Sequence, residues 1–242
     1  MSVELKATIE IEGQPPIIIH DVFSGFPGNR APQSLFAQLT SVVSLLTTNN
    51  YKPLRINRIE VEAQILAGRR SAEIEAIELH STTYEPGDTV RATAFVRPYK
   101  GNRQRVPVSL KLPADLAEGT YTLYLGEDMG AVRAALRDDP TLSNPQSVPN
   151  ILRALKVLTG VKRTSLTARV PVGPSGVAQD GKVLADLPSS MVHILGNSRR
   201  TGLQTVSTSL VARHPTDWVI QGQESVTFKV TRHKKVTLSQ ND

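Results

Sequence analysis

The stretch from Tyr84 to Leu125 constrains the fold most, because it joins a tight turn to two strand patterns. Its turn reads Glu85-Pro86-Gly87-Asp88, in which proline presets φ, glycine accepts a positive φ and aspartate hydrogen-bonds nearby backbone. After the turn, apolar residues occupy every second position from Val90 to Val96. This period of two is typical of an antiparallel strand with one buried face.

The end of the same stretch contains the pattern Leu116-x-x-Gly119-x-Tyr121. It is typical of a tyrosine corner, in which a buried tyrosine near the start of a strand donates its hydroxyl to upstream backbone. We therefore expect Tyr121 to be buried, with its hydroxyl bonded to backbone in residues 113–118.

Seven strand patterns separated by turn signals precede residue 126, and this number is typical of an immunoglobulin-like sandwich. A change of phase between Ala76 and Ile77 indicates a β-bulge in one of these strands. The fold class that we predict is mainly β with an α+β part. An immunoglobulin-like antiparallel sandwich covers residues 1–125, with an inserted helix at 32–48, and a smaller α+β subdomain at 126–242 packs on it.

The helix predicted at residues 32–48 has an apolar stripe, but its polar face carries only Gln, Ser and Thr. A helix face in bulk water usually carries charges, so this face suits a partly buried contact. One hypothesis is that Gln38 and Ser41 mark the docking surface of a missing upstream domain. The alternative is that the helix simply covers the local core.

The most uneven charge distribution lies between Asp88 and Asp115, where six basic residues occur without an acid. The chain as a whole has a net charge of +6, so anionic partners attract it. A basic hairpin with an aromatic residue can grip a nucleic-acid backbone, although charges at a hairpin tip also protect strands against aggregation. We favour the second interpretation and do not expect nucleic acid as a partner. The candidate binding surface is Arg97, Tyr99, Lys100, Arg103 and Arg105.

The sequence carries no motif of catalysis, cofactor binding or metal binding. The chain has no cysteine, which excludes disulfides, thiolate nucleophiles and Cys-ligated zinc. Its five histidines lack metal-ligand spacing, and the segment Gly176–Lys182 has the spacing of a phosphate loop but is followed by Val183 instead of Ser or Thr. We therefore assign no catalytic, cofactor or metal residue and expect the chain to be no enzyme by itself. A hydrolase with a dispersed active site stays open as an alternative.

The order and spacing of several segments resemble the region that follows the catalytic domain in bacterial SpoIVB-type serine peptidase-related proteins. The matching segments are 57–61, 84–90, 96–101, 112–123 and 184–190. The family's nucleophile motif is not matched, since Val177 stands where its second serine belongs. The resemblance implies a non-catalytic accessory portion of an exported envelope protein, located in the periplasm or outside the cell. A chain that opens in a strand pattern without a leader is expected for a fragment of a longer protein.

Overall fold

The computed structural model of the chain describes residues 1–24, 31–48, 51, 54–179, 181–185, 187–195 and 203–232. The described fold is mainly β with five helices, which confirms the mainly β prediction at this level. The strands are β1 (Ser2–Ile11), β2 (Ile17–Ser24), β3 (Ile56–Leu66), β4 (Ser71–Leu79), β5 (Thr83–Tyr84), β6 (Thr89–Pro98), β7 (Gln104–Lys111), β8 (Gly119–Glu127), β9 (Ser165–Gln179), β10 (Lys182–Leu184), β11 (Gln204–Pro215), β12 (Val219–Gln221) and β13 (Gln223–Val230). The helices are α1 (Ala31–Thr47), α2 (Asp128–Asp138), α3 (Pro140–Ser143), α4 (Val148–Thr159) and α5 (Ser189–Leu195).

The first three strands form an antiparallel sheet in the order β2–β1–β3. Alternation in β1 turns every second side chain toward one face, and α1 and α4 pack on that face. The helix predicted at 32–48 is thus present as α1, and it covers this small sheet. The core formed here is Val3, Leu5, Ala7, Ile9, Ile11, Ile19, Phe23, Val42, Leu46, Ile151 and Leu155.

The other strands form two larger sheets that share one hydrophobic core. One sheet has the order β12–β4–β6–β7, and the other has the order β10–β9–β8–β13–β5 with β11 also paired to β9. Alternate apolar residues of β6 and β7 meet those of β8, β9 and β13 in this core, which includes Val96, Val108, Leu125, Leu166 and Phe228. Most strand pairs are antiparallel, but β12–β4 and β13–β5 are parallel. Both parallel pairs join strands that are distant in the chain, so no tight hairpin imposes the antiparallel direction.

The packing crosses the boundary that the sequence suggested at residue 125. Strand β8 itself spans this boundary, and its two neighbours in the sheet, β9 and β13, lie after it. Similarly, α4 supplies Ile151 and Leu155 to the core of the N-terminal sheet. Both hydrophobic cores contain residues from both segments. The division into folding units at 1–125 and 126–242 stays a prediction.

Two local predictions from the sequence are confirmed. The pairing of β4 with β6 shifts register between Ile74 and Ala76, so β4 contains the predicted bulge, slightly before the predicted change of phase between Ala76 and Ile77. In the turn before β6, Gly87 has a φ of +88°, and Asp88 accepts a 2.8 Å hydrogen bond from the backbone N–H of Glu85. The amide of Gly87 also donates to the carbonyl of Pro113, so this turn ties the start of β6 to the chain after β7.

Tyr121 has the predicted hydrogen bond but less burial than expected. Its hydroxyl donates to the carbonyl of Ala117 over 2.8 Å, within the predicted 113–118 segment. The ring is only half-buried and stacks on Phe228, with 5.9 Å between ring centroids. Partial exposure arises because Tyr121 precedes the most enclosed part of β8, which begins at Leu123.

The loop between α4 and β9 joins the small sheet to the larger one through two buried aspartates. Arg163 donates from its backbone N–H to Asp21 Oδ1 over 2.8 Å, and its guanidinium donates to Asp21 Oδ2. The adjacent Lys162 donates its backbone N–H to Asp128 Oδ2 over 2.9 Å. Asp128 is fully buried and also accepts from Arg213 Nε over 2.7 Å. We call this set of contacts the Lys162–Arg163 junction.

The change Tyr121→Phe should lower the free energy of unfolding by about 1 kcal/mol, because it removes one neutral hydrogen bond at a half-buried site. Urea denaturation followed by circular dichroism measures this. Tyr99→Phe is the matched control, since the side chain of Tyr99 is exposed on the β6–β7 hairpin. Equal effects of the two changes would contradict the structural role of the Tyr121 hydroxyl.

The change Arg163→Met should cost about 3–5 kcal/mol of unfolding free energy, because it leaves the buried Asp21 carboxylate without its cation. Adding Asp21→Asn to this variant should recover part of the loss, since the unpaired charge is then gone. Arg153→Met removes an arginine from a more exposed ion pair and should cost less than about 1 kcal/mol. Chemical denaturation of these three variants and of Asp21→Asn alone measures this, and additive single effects at Asp21 and Arg163 would argue against the pairing.

Candidate functional site

The basic hairpin lies where the sequence placed it, at the connection between β6 and β7. Arg97 and Arg103 both bind the carboxylate of Glu75, which stands at the β4 bulge, and the Arg103 Nε–Oε2 distance is 3.2 Å. The bulge therefore directs the Glu75 carboxylate toward the hairpin, whose own sequence contains no acidic residue. The single negative charge of Glu75 therefore offsets part of the positive charge of these two arginines.

The aromatic rings of the hairpin are covered by cations. Arg103 and Arg105 lie over the Phe95 ring, at 4.0 and 5.6 Å from its centroid. Arg69 and Lys100 lie near Tyr99, at 4.6 and 5.5 Å from its centroid. A base that stacked on either ring would have to displace a cation–π contact. The five candidate residues are thus held together as a surface, but its charges and rings already have partners.

The two candidate residues on α1 have different surroundings. Gln38 accepts a 3.3 Å hydrogen bond at Oε1 from Arg163 Nη1, and its buried Nε2 has no partner among the described residues. Ser41 is exposed and donates to the carbonyl of Ala37 in its own helix over 2.8 Å. Gln38 therefore belongs to the Lys162–Arg163 junction. The docking hypothesis stays a prediction at Ser41, where the side chain is accessible.

Each histidine whose side chain is described binds a group other than a serine hydroxyl. His20 Nε2 lies 2.7 Å from Glu4 Oε1, and His80 Nε2 lies 3.1 Å from Thr93 Oγ1. His214 Nε2 lies 3.0 Å from the backbone carbonyl of Ser109, and burial lowers the pKa of its imidazole. Within the described ranges, no group of three or more His, Asp or Glu residues is arranged to hold a metal ion.

An exposed apolar row on β3 was not singled out from the sequence. Residues 59, 61, 63 and 65 of β3 pair with residues 9, 7, 5 and 3 of β1 and lie on the same face of the sheet. The β1 residues are buried under the helices, whereas Ile59, Val61 and Ile65 are 44, 50 and 71% exposed. The alternation of β3 was visible in the sequence, but its exposure depends on where the helices pack. We call Ile59, Val61, Ala63 and Ile65 the β3 row.

The free edge of the sheet coincides with the β3 row. In the order β2–β1–β3, β3 is a terminal strand, and among the described residues only β1 pairs with it. An edge strand offers unpaired N–H and C=O groups to another extended chain. Apolar surface and backbone hydrogen-bonding groups are thus available side by side.

Comparisons of the chain with protein-family models, curated proteins and solved structures find no match. Within the part of the chain that the structure describes, there is no helix both long enough and apolar enough to cross a membrane.

The basic hairpin should bind DNA only weakly at physiological salt, because Glu75 and the two aromatic rings already engage its cations. A fluorescence-anisotropy titration of duplex and single-stranded DNA at several salt concentrations measures this. The comparison variant changes Arg97, Lys100, Arg103 and Arg105 to Ser. Sub-micromolar binding that falls steeply with salt and is lost in this variant would contradict the expectation.

Proposed function

We propose that this chain is a non-catalytic binding or scaffolding module that takes an extended segment of a protein partner along β3. In the same proposal, the two facing sheets are an immunoglobulin-like sandwich, and the module is an accessory portion of an exported bacterial peptidase-related protein. The resemblance in the sequence supports the second part, and the exposed β3 row supports the first.

The β3 row is the observation that carries the proposal. Helices α1 and α4 pack on the apolar face of β1 and β2. The residues of the β3 row lie on the same face of the sheet, but these helices do not cover them. Apolar side chains in such a row gain about 25 cal/mol per Å² when another apolar surface removes them from water. Strand addition at the edge supplies main-chain hydrogen bonds, and the row supplies the side-chain contacts.

The opposite face of β3 determines the charge of the partner that fits. Glu60 and Glu62 lie on that face, with Arg58 bound to Glu60 and Lys6 across from Glu62. Cross-strand neighbours of opposite charge stabilise a sheet, and like charges destabilise it. A strand that alternates apolar with basic residues therefore complements β3 on both faces.

A second copy of the chain fits this edge less well. Antiparallel pairing of β3 with itself, centred on Val61, places Glu60 opposite Glu62 twice. Like-charge pairs directly opposite one another are unfavourable. The charge pattern favours a different polypeptide.

Nucleic-acid binding by the hairpin and hydrolysis by a dispersed site are the competing functions. Glu75 neutralises part of the hairpin, which weakens the case for nucleic acid. The described histidine contacts supply no serine–histidine pair, which gives the hydrolase interpretation no support from the described side chains.

Selection of ten-residue peptides from a displayed random library on the wild-type protein tests the proposal. We expect enriched peptides that alternate apolar with basic residues. Each should bind at least about tenfold more weakly to the variant Val61→Lys/Ile65→Lys, because the two lysines interrupt the apolar row and repel a basic strand. Isothermal titration calorimetry with the synthesised peptides measures the change.

Val211→Lys is the control, because Val211 is a similarly exposed apolar strand residue on β11, outside the β3 row. It should leave peptide affinity unchanged. The proposal fails if enriched peptides bind the β3 variant as well as the wild type, or if selection enriches no peptide.

A further inference from the structure

A cavity of about 520 Å³ lies between α2 and the outer face of the larger sheet, away from the β3 row. Tyr124 of β8 and Arg169 of β9 are cross-strand partners on that outer face, because their neighbours Leu125 and Ala168 point into the shared core. One face of α2 forms the opposite wall. The lining consists of Tyr124, Glu127, Gly130, Arg133, Ala134, Arg137, Arg169, Gly222 and Gln223.

Arg169 is the half-buried cation of this cavity. Its guanidinium lies 4.8 Å from the centroid of the Tyr124 ring, and Nη1 donates to Ser209 Oγ over 3.3 Å. Within the described residues, these are the ring contact and the hydrogen bond of its side chain, and it forms no direct ion pair. A guanidinium carries five N–H donors, so most of its hydrogen-bonding capacity remains for a molecule in the cavity.

The electrostatic environment of Arg169 is that of a desolvated but still charged cation. Burial lowers the pKa of Arg169, and the nearby Asp138 carboxylate opposes this effect. Arg169 is linked to Asp138 through Ser209, whose hydroxyl accepts from Arg169 and donates to Asp138 Oδ2 over 3.4 Å. Arginine stays protonated in proteins, so the cavity retains a cation that an anion would compensate better than water.

Two further arginines of α2 line the same cavity. Arg133 and Arg137 are four residues apart and therefore lie on one helix face. Arg133 binds Glu127, and Arg137 Nε lies 3.3 Å from Asp138 Oδ1. Three guanidinium groups thus meet two carboxylates, which leaves one positive charge in excess.

Two glycines in the lining expose backbone that no side chain covers. Gly222, in the turn between β12 and β13, has a φ of +87°, and a side chain added there would meet nothing within 4 Å. A Cβ added at Gly130 would come within 3.6 Å of the Gln223 side chain. The backbone at both positions is therefore accessible from the cavity, next to the three arginines.

We propose that this cavity is a binding site for a small ligand that carries phosphate or carboxylate groups, held by Arg169, Arg137 and Arg133. Arg169 supplies the half-buried charge and forked donors, and the two α2 arginines close over the ligand from the solvent side. Bidentate pairing with planar or tetrahedral anionic groups is what guanidinium geometry favours. Glu127 limits the affinity, because it competes for Arg133.

Isothermal titration calorimetry with inorganic pyrophosphate and, separately, citrate tests the proposal on the full chain. We expect saturable binding of at least one anion with a Kd below about 1 mM at physiological salt. Binding of pyrophosphate alone indicates a phosphate ligand, and binding of citrate alone indicates a carboxylate ligand. The variant Arg169→Gln should weaken the observed binding about ten- to a hundredfold, because it removes charge-assisted hydrogen bonds.

Three further variants separate a specific site from general charge. Arg137→Gln affects a largely exposed side chain and should weaken binding without affecting folding. Glu127→Gln should tighten binding, since it frees Arg133 and removes a repelling carboxylate. Arg105→Gln removes the same charge on the distant hairpin and should leave the Kd within about twofold of the wild-type value. The proposal is overturned if neither anion saturates the wild type below about 1 mM, if Arg105→Gln weakens binding as much as Arg137→Gln, or if Glu127→Gln weakens it.

Discussion

The buried pair Asp21–Arg163 is the contact on which the arrangement of the sheets depends. Asp21 lies on the inner face of the small sheet, among apolar residues, where an unpaired carboxylate would be strongly unfavourable. Burial raises the pKa of Asp21, whereas Arg163 opposes this through its charge and its hydrogen bonds. The same arginine lies 4.1 Å from the centroid of the Phe23 ring and accepts a backbone hydrogen bond from Ile220. One short loop therefore fixes the small sheet against a strand of the β12–β4–β6–β7 sheet.

The position of the helices explains why the β3 row is exposed. Helix α4 ends at Thr159, shortly before the Lys162–Arg163 junction, and α1 contacts this junction through Gln38. Both helices are consequently held over β1 and β2, and no described element lies over β3. The contact that stabilises the interior thus accompanies an apolar edge that no described element covers.

Basic residues are compensated to different degrees in different parts of the molecule. On the hairpin, Glu75 serves two arginines, and the aromatic rings are covered by others. In the cavity beside α2, Arg169 has a ring and a hydroxyl as neighbours but no direct carboxylate. The density of basic residues along the chain therefore does not show which arginine lacks a carboxylate partner. This depends on which acidic residues the fold places beside each arginine, because electrostatic interactions weaken with distance in space and not in sequence.

The sequence by itself determined the features that depend on neighbouring residues. Alternation specified β1 and β6, the Pro86-Gly87-Asp88 turn specified its own conformation, and the phase change specified a bulge in β4, although not its position at Glu75. The pattern around Tyr121 also specified its hydrogen bond to Ala117, because donor and acceptor are only four residues apart.

Only the tertiary structure decided the features that depend on distant residues. Asp21 and Arg163 are separated by 142 positions, and no local pattern shows that one would compensate the other. The exposure of Ile65, the neutralisation of Arg97 by Glu75 and the convergence of Arg137 with Arg169 are of the same kind. Strand order and helix placement bring these side chains together or leave them apart. The physical reason is that burial and charge compensation are properties of the packed chain, whereas turns and strand periodicity are set by local backbone geometry.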